Sequence, residues 1–305
     1  MQIADILAYL RQENIPFTFR GNEKDTVDGF SSLAHYKCGS MTWVKKAENL
    51  PQGADLSQIR LAIVSEGVEG NFANTITSPL SRRAFFGVLE HFYAPADTAP
   101  AIGENTYLSP QVKLGKNVRI GHNCSLDGEI TVGDNTVIGN NVTIINRAVI
   151  GEGSEIRSGV VIGHDDSISY TEDEHHNKIP IRHFGGVWIG SNVMIGENST
   201  VCRGTLDDTY IGDGVRLDAL TQVSHNCRFE KNSVAVGGCR FFGSVTVEEG
   251  AYLVGALVRN QCRIGKDAFV GMGAVVIKNV ENNQTVVGNP AKPFAKKEGK
   301  HNAIY

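Results

Sequence analysis

The sequence predicts a mainly β chain: a parallel β-helix of about nine coils on a hexapeptide repeat, with a small α/β domain before it and a projecting loop within it. Three observations predict this. From Ile102 every sixth residue is aliphatic: Leu108, Leu114, Ile120, Leu126, Val132, Ile138, Ile144, Ile150, Ile156 and Ile162. Glycine follows the anchor at Gly103, Gly115, Gly121, Gly133, Gly139, Gly151 and Gly163. Glycine is also abundant overall, 34 of 305 residues, with only 9 prolines and no collagen spacing, which calls for many tight turns.

A period of six matches neither an amphipathic helix nor a half-buried strand, whose periods are about 3.6 and 2. It matches short strands joined by turns, each unit sending one aliphatic side chain inward, with the adjoining glycine expected to take turn dihedrals. Three units per coil enclose a triangular prism, and each strand edge pairs with the coils above and below at about 4.8 Å.

In chain order, residues 1–97 lie outside the register. Residues 3–12 read as an amphipathic helix, and Ser40–Val44 and Arg60–Val64 as short strands. A second helix is expected from Ser78 as N-cap and Pro79 at its first position, with Leu80, Phe85, Val88 and Leu89 at helical spacing. The stretch Ala94-Pro95-Ala96-Asp97-Thr98-Ala99-Pro100 reads as a linker to the β-helix domain, residues 98–280. Within that domain the register lapses over residues 163–186, which contain Asp165, Asp166, Tyr170, Asp173, Glu174, His175, His176, Lys178 and His183. So polar a segment cannot pack inside the prism and must project. The register resumes at Ile189, Ile195 and Val201, takes two five-residue steps through Leu206 to Ile211, and runs by Leu217, Val223, Phe229, Ala235, Phe241, Val247 and Leu253 to Val258, Ile264, Val270 and Val276. Residues 281–305 are left as a C-terminal tail.

A net charge of -4 excludes a strongly basic nucleic-acid footprint, and 41% hydrophobic residues exclude wholesale disorder. No apolar run approaches the ~20 residues of a membrane span. The segment Met1–Leu7 lacks the basic start of a signal peptide, and the six cysteines have no ligand spacing, so a cytoplasmic protein with reduced, mostly buried thiols is expected. Adjacent His175 and His176 make an indifferent chelate, and no metal is expected.

The repeat resembles the left-handed hexapeptide-repeat acyltransferases. That resemblance, not the spacing, implies the left hand, which runs against the usual right-handed crossover, and implies a homotrimer with active sites in the grooves between subunits. The block Arg203-Gly204-Thr205-Leu206-Asp207-Asp208-Thr209, then Ile211-Gly212-Asp213-Gly214 and Leu217-Asp218 to His225-Asn226, is similar to the UDP-3-O-acylglucosamine N-acyltransferase family of lipid A synthesis. Lys178-Ile179-Pro180 ahead of Val187-Trp188-Ile189-Gly190 fits the same family. At the carboxyl end, Val286-Val287-Gly288-Asn289-Pro290-Ala291-Lys292-Pro293 instead resembles the close of sugar acetyltransferases that use acetyl-CoA.

Amide formation from a thioester needs a base for the amine proton and a donor for the tetrahedral oxyanion. The resemblance at Gln222-Val223-Ser224-His225-Asn226 makes His225 the general base, with Asp218 orienting it as in triad logic. One coil of 18 residues on from His225 stands Gly243, whose backbone N–H is an oxyanion donor open to the thioester. Substrate contacts are expected from Trp43, as a platform for uracil or thymine, and from Tyr170, His176, Lys178, Asn226 and Gln261; Gly243 and Lys292 are expected to meet the donor. Asn260-Gln261 stands where the lipid A family has a second histidine, and Lys46 and Asn49 replace its Asn and Tyr near the base. These departures favour transfer from acyl-CoA to a dTDP- or UDP-linked amino sugar for O-antigen or other surface polysaccharide. The alternatives are the lipid A reaction itself, with acyl carrier protein as donor, and a non-catalytic sugar-nucleotide-binding scaffold.

Overall fold

The computed structural model describes residues 1–94 and 100–294. The chain divides into two compact units, Met1–Thr98 and Ala99–Tyr305. The proposed linker lies mostly outside the described residues, as does the tail from residue 295.

The first unit is a four-stranded sheet with two helices. Helix α1 (Ile3–Gln12) carries Ile3, Ile6, Leu7 and Leu10 on one buried face, the i, i+3, i+4, i+7 stripe of a helix packed on a sheet. Strands β1 (Thr18–Arg20), β2 (Met41–Val44), β3 (Leu61–Val64) and β4 (Thr75–Thr77) stand in the order β1-β4-β3-β2, with only the β1–β4 pair antiparallel. Helix α2 (Ser81–Tyr93) adds Ala84, Phe85 and Val88 to the core on the α1 side, while Val44, Ile59, Ala62, Val64, Val68 and Phe72 form a second cluster. The expected cap of α2 is displaced. Ser78 is buried, donates to the Pro16 carbonyl at 2.6 Å and accepts the Leu80 N–H at 3.0 Å, so it anchors the entry to a helix that starts at Ser81.

The second unit is a parallel β-helix with three faces. The first runs from Arg119–Ile120 to Thr285–Val287, the second from Tyr107–Leu108 to Val275–Val276, and the third from Lys113–Leu114 to Arg263–Ile264. Registers repeat one coil at a time, as in Val223↔Phe241 and Phe229↔Val247. Anchors from Ile120 to Val276 fill the interior, including the small Ala235 and the edge-to-face pair Phe229 and Phe241, whose rings lie 4.8 Å apart. Ile102 and Leu114 are exposed and Leu108 is partly so, because the strands of the first coil are the end strands of their sheets and pair only with the coil above. Leu206 departs from its expected place: it is 78% exposed, in a loop between Thr200–Val201 and Thr209–Ile211. The prism also continues past residue 280, since Thr285–Val287 joins the first face and Lys292–Pro293 pairs back on it antiparallel.

The turn chemistry differs from the expectation. Asparagines three places after the anchor take the left-handed conformation, among them Asn117, Asn123, Asn135, Asn141, Asn192, Asn198 and Asn226, with φ between 55° and 57°. Among the glycines beside an anchor only Gly163 has a positive φ, 91°; the others are required by proximity instead: a Cβ on Gly103 would lie 2.5 Å from the backbone of Gly121 and His122 in the next coil. The six cysteines are all free, and only Cys38 is exposed. No helix among the described residues is long and apolar enough to cross a membrane.

Candidate active site

The edge between the second and third faces collects the irregular segments of the β-helix. The loop over residues 163–186 leaves the prism there, after Val161–Ile162 and before Val187–Ile189. One coil on, residues 202–208 bulge at the same edge; His225 and Asn226 follow, then Gly243, then Gln261. The loop's outer part is a hairpin, Tyr170–Glu172 with Lys178–Pro180, and its returning limb is fixed to the bulge. Phe184 N–H donates to the Thr205 carbonyl at 2.7 Å, and Arg203 Nε donates to the Gly185 carbonyl at 2.7 Å.

His225 is half-buried at this edge. Its Nδ1 lies 3.0 Å from Asn226 Oδ1. The amide orientation of Asn226 is fixed, because Oδ1 accepts the Thr205 N–H at 3.0 Å and Nδ2 donates to the Asp207 carbonyl at 3.3 Å. An amide oxygen only accepts, so His225 Nδ1 carries the proton and Nε2 is left with its lone pair. No hydrogen-bond partner meets Nε2 among the described residues. That nitrogen faces Gly243 one coil on: a Cβ built there would overlap Nε2 and fall 2.7 Å from Cε1. The Gly243 carbonyl accepts from Gln261 N–H at 3.0 Å, and Ser244 N–H donates to the His225 carbonyl at 2.9 Å. The Gly243 N–H itself meets no acceptor among the described residues. A proton acceptor and an uncommitted amide donor thus stand at consecutive levels of one edge, the pair that acyl transfer uses.

Asp218 does not join them. It leaves the first face, so it occupies the edge between the first and second faces, and its carboxylate accepts the Gly237 N–H at 2.9 Å. Seven residues is one side of the triangle plus one, which carries the chain to the next edge. The neutral amide of Asn226 does the orienting inside the chain. Gln261 stacks under Gly243 through its backbone while its side chain is exposed. Tyr170, His176 and Lys178 are on the hairpin with contacts among themselves: the Lys178 ammonium lies 4.6 Å from the Tyr170 ring centre and pairs with Glu172, which also meets His176 Nδ1 at 3.1 Å. Lys292 is exposed on the terminal hairpin. No cluster of metal ligands occurs among the described residues.

Sequence reasoning missed Thr205, the ion pair of Arg147 with Asp208, and the placing of His183. Asp208 takes both Arg147 guanidinium nitrogens and the Gly186 N–H at 2.7 Å, tying the loop's return to the preceding coil. Partial burial pulls the Asp208 pKa up, but the Arg147 and Gly186 hydrogen bonds and the Arg147 charge outweigh it, so the net shift is down. Burial pushes the Cys202 thiol, beside Arg203, up to about 12, helped by Asp166 and Asp165, which removes it as a nucleophile. The signal in the sequence was the place of the register breaks: those after Ile162 and Val201 occur at the edge that carries His225.

In the first unit, Trp43 half-lines a cavity of about 660 Å³ with Lys45, Ser65, Leu80, Arg82 and Phe86 at the start of α2. Its Nε1 donates to Ser81 Oγ at 3.0 Å and its ring meets Phe86 edge-on at 5.8 Å. One ring edge is thus committed to the fold.

The chain carries the hexapeptide repeat of bacterial transferases. Residues 129–164 match the bacterial transferase hexapeptide model (six repeats), and residues 111–145 and 186–219 match the hexapeptide repeat of succinyl-transferase. Over 117 residues it is 37% identical to UDP-3-O-acylglucosamine N-acyltransferase of Caulobacter sp. (strain K31), covering 38% of this chain and 34% of that protein. Over 84 residues it is 45% identical to the protein of the same name from Dechloromonas aromatica, covering 28% and 24%. The chain thus spans about a third or less of the length of the curated relatives it matches. Among solved structures, the UDP-N-acetylglucosamine acyltransferase of Francisella novicida aligns with a TM-score of 0.56 at 26% identity, over 62% of this chain and 68% of that one. The O-acyltransferase of Moraxella catarrhalis aligns with the same TM-score at 21% identity, over 64% and 74%. The fold is therefore the left-handed parallel β-helix of these proteins.

Proposed function

We propose that the protein is an N-acyltransferase that moves an acyl group from a thioester to the amine of a nucleotide-linked sugar. The observation that carries the reading is the free Nε2 lone pair of His225 facing Gly243, whose N–H is uncommitted. His225 Nε2 takes the proton of the attacking amine, the new C–N bond forms at the thioester carbonyl, and Gly243 N–H holds the oxyanion. Collapse of that intermediate expels the thiolate, which recovers the proton from the imidazolium. Asn226 keeps the imidazole in the required tautomer. A homotrimer belongs to the same reading.

On substrate, the names of the relatives favour UDP-3-O-acylglucosamine as the acceptor over the dTDP-linked amino sugar of an acetyl-CoA-dependent enzyme. The departures at Gln261, Lys46 and the carboxyl end remain the support for the latter. Trp43 and the cavity beside Lys45 and Arg82 suit a nucleotide: a ring to pack on the base and cations for the phosphates. Mass spectrometry of products from UDP-3-O-acylglucosamine and from UDP- and dTDP-linked amino sugars, each with acyl-CoA and with hydroxyacyl carrier protein, tests this. N-acylated UDP-3-O-acylglucosamine made from the carrier protein is the expected product. Acetylated dTDP-sugar alone would replace that substrate assignment, and no amide from any pair would end the enzyme reading.

A further inference from the structure

His183 has no part in the roles above, yet it is the side chain packed against the base. It has no solvent exposure, although the loop that carries it is largely exposed. The limb is held by Phe184 and Gly185 N–H bonds to the Thr205 and Gly204 carbonyls, at 2.7 and 3.0 Å. Nδ1 lies 3.3 Å from the Arg203 carbonyl, so Nδ1 carries the proton and Nε2 the lone pair. That Nε2 is buried without a partner among the described residues, and burying such an acceptor is costly. A leucine would fill the space without that cost. What a ring adds is its contact with His225: the two centres are 5.4 Å apart and the planes cross at 73°.

We propose that His183 is a positioning residue for His225: its immobile ring holds the base in the orientation that turns Nε2 toward Gly243, and gives the imidazolium formed during transfer an aromatic neighbour. The proposal rests on the reading of His225 as base. The separation and crossing angle are those of an edge-to-face ring pair, a contact worth between about twofold and tenfold in rate.

The test replaces the ring and keeps the volume. In His183→Leu, kcat is expected to fall about tenfold with KM for acceptor and donor within about twofold, while His183→Phe recovers to within about threefold of wild type. The His225 ring signals in 1H–13C spectra, assigned with His225→Gln, are expected to be a single sharp set in wild type and His183→Phe, and broadened or split in His183→Leu. Wild-type kcat with unchanged ring signals in His183→Leu overturns the proposal, as does a raised KM with kcat intact. If the leucine variant does not fold, His183→Gln keeps a donor for the Arg203 carbonyl, loses the ring and faces the same two outcomes. Should wild-type protein transfer no acyl group, the functional reading fails by itself, and the ring spectra alone decide the positioning role.

Discussion

Asn226 sits at φ 56°, where a side chain is tolerated at a cost and glycine at none. Replacing it by glycine therefore removes the hydrogen bond to His225 Nδ1 while sparing the turn. Asn226→Gly is expected to keep a cooperative melt and lose about tenfold to a hundredfold in kcat, the value of one half-buried orienting hydrogen bond; full activity in steady-state assays would show that the tautomer is set by something else. Gly243 is more demanding, because its missing Cβ is the space occupied by the His225 ring edge. Gly243→Ala must displace the imidazole or the coil, so kcat is expected to fall at least a hundredfold, with a stability loss of about 1–3 kcal/mol from overpacking in denaturant titration. A variant with both quantities unchanged would contradict the contact.

At the scale of the element, the six-residue spacing is enough to read each inward anchor from Ile120 to Val276, because every side of a coil buries its anchor, in several strands together with the residue two places before it, as Ile130 with Val132 and Val187 with Ile189. Its ends and bulges were not legible: Leu108 and Leu114 match the spacing but lack a coil beneath, and Leu206 matches by five-residue steps yet projects. The His225–Gly243 pairing was legible because the two lie one coil of 18 residues apart, whereas Asp218, expected as the orienting group from the family resemblance, stands at another edge of its own chain, and His225 Nδ1 meets the neighbouring Asn226. His183 was not legible, since no repeat fixes where a loop of irregular residues comes back. The base of that loop depends on Asp208. Its pKa is lower in the fold than in the open chain, so its clamp on Arg147 and Gly186 is complete above the ordinary carboxylate range and is lost as pH falls through the depressed value. Hydrogen exchange at residues 183–186 is expected to be slow at pH 7 and to accelerate below about pH 4 relative to the prism strands, with Asp208→Asn already fast at pH 7. Equal protection of loop and strands at low pH, or slow exchange in the variant, would contradict the clamp.

Across the whole molecule, a stack of coils with a fully packed interior supplies a rigid edge, and chemistry is added where strands stop and turns bulge. The two units divide the proposed labour: an aromatic and cationic cavity beside α2 in the first, the base and the oxyanion donor in the second. The central claim is that His225 Nε2 takes the proton of the acceptor amine. Single-turnover acyl transfer by His225→Ala, with the oligomer and melting temperature checked alongside, tests it most directly. The predicted result is a fall of about 10²–10⁴-fold in an intact, equally assembled protein; transfer at a rate within twofold of wild type would contradict it.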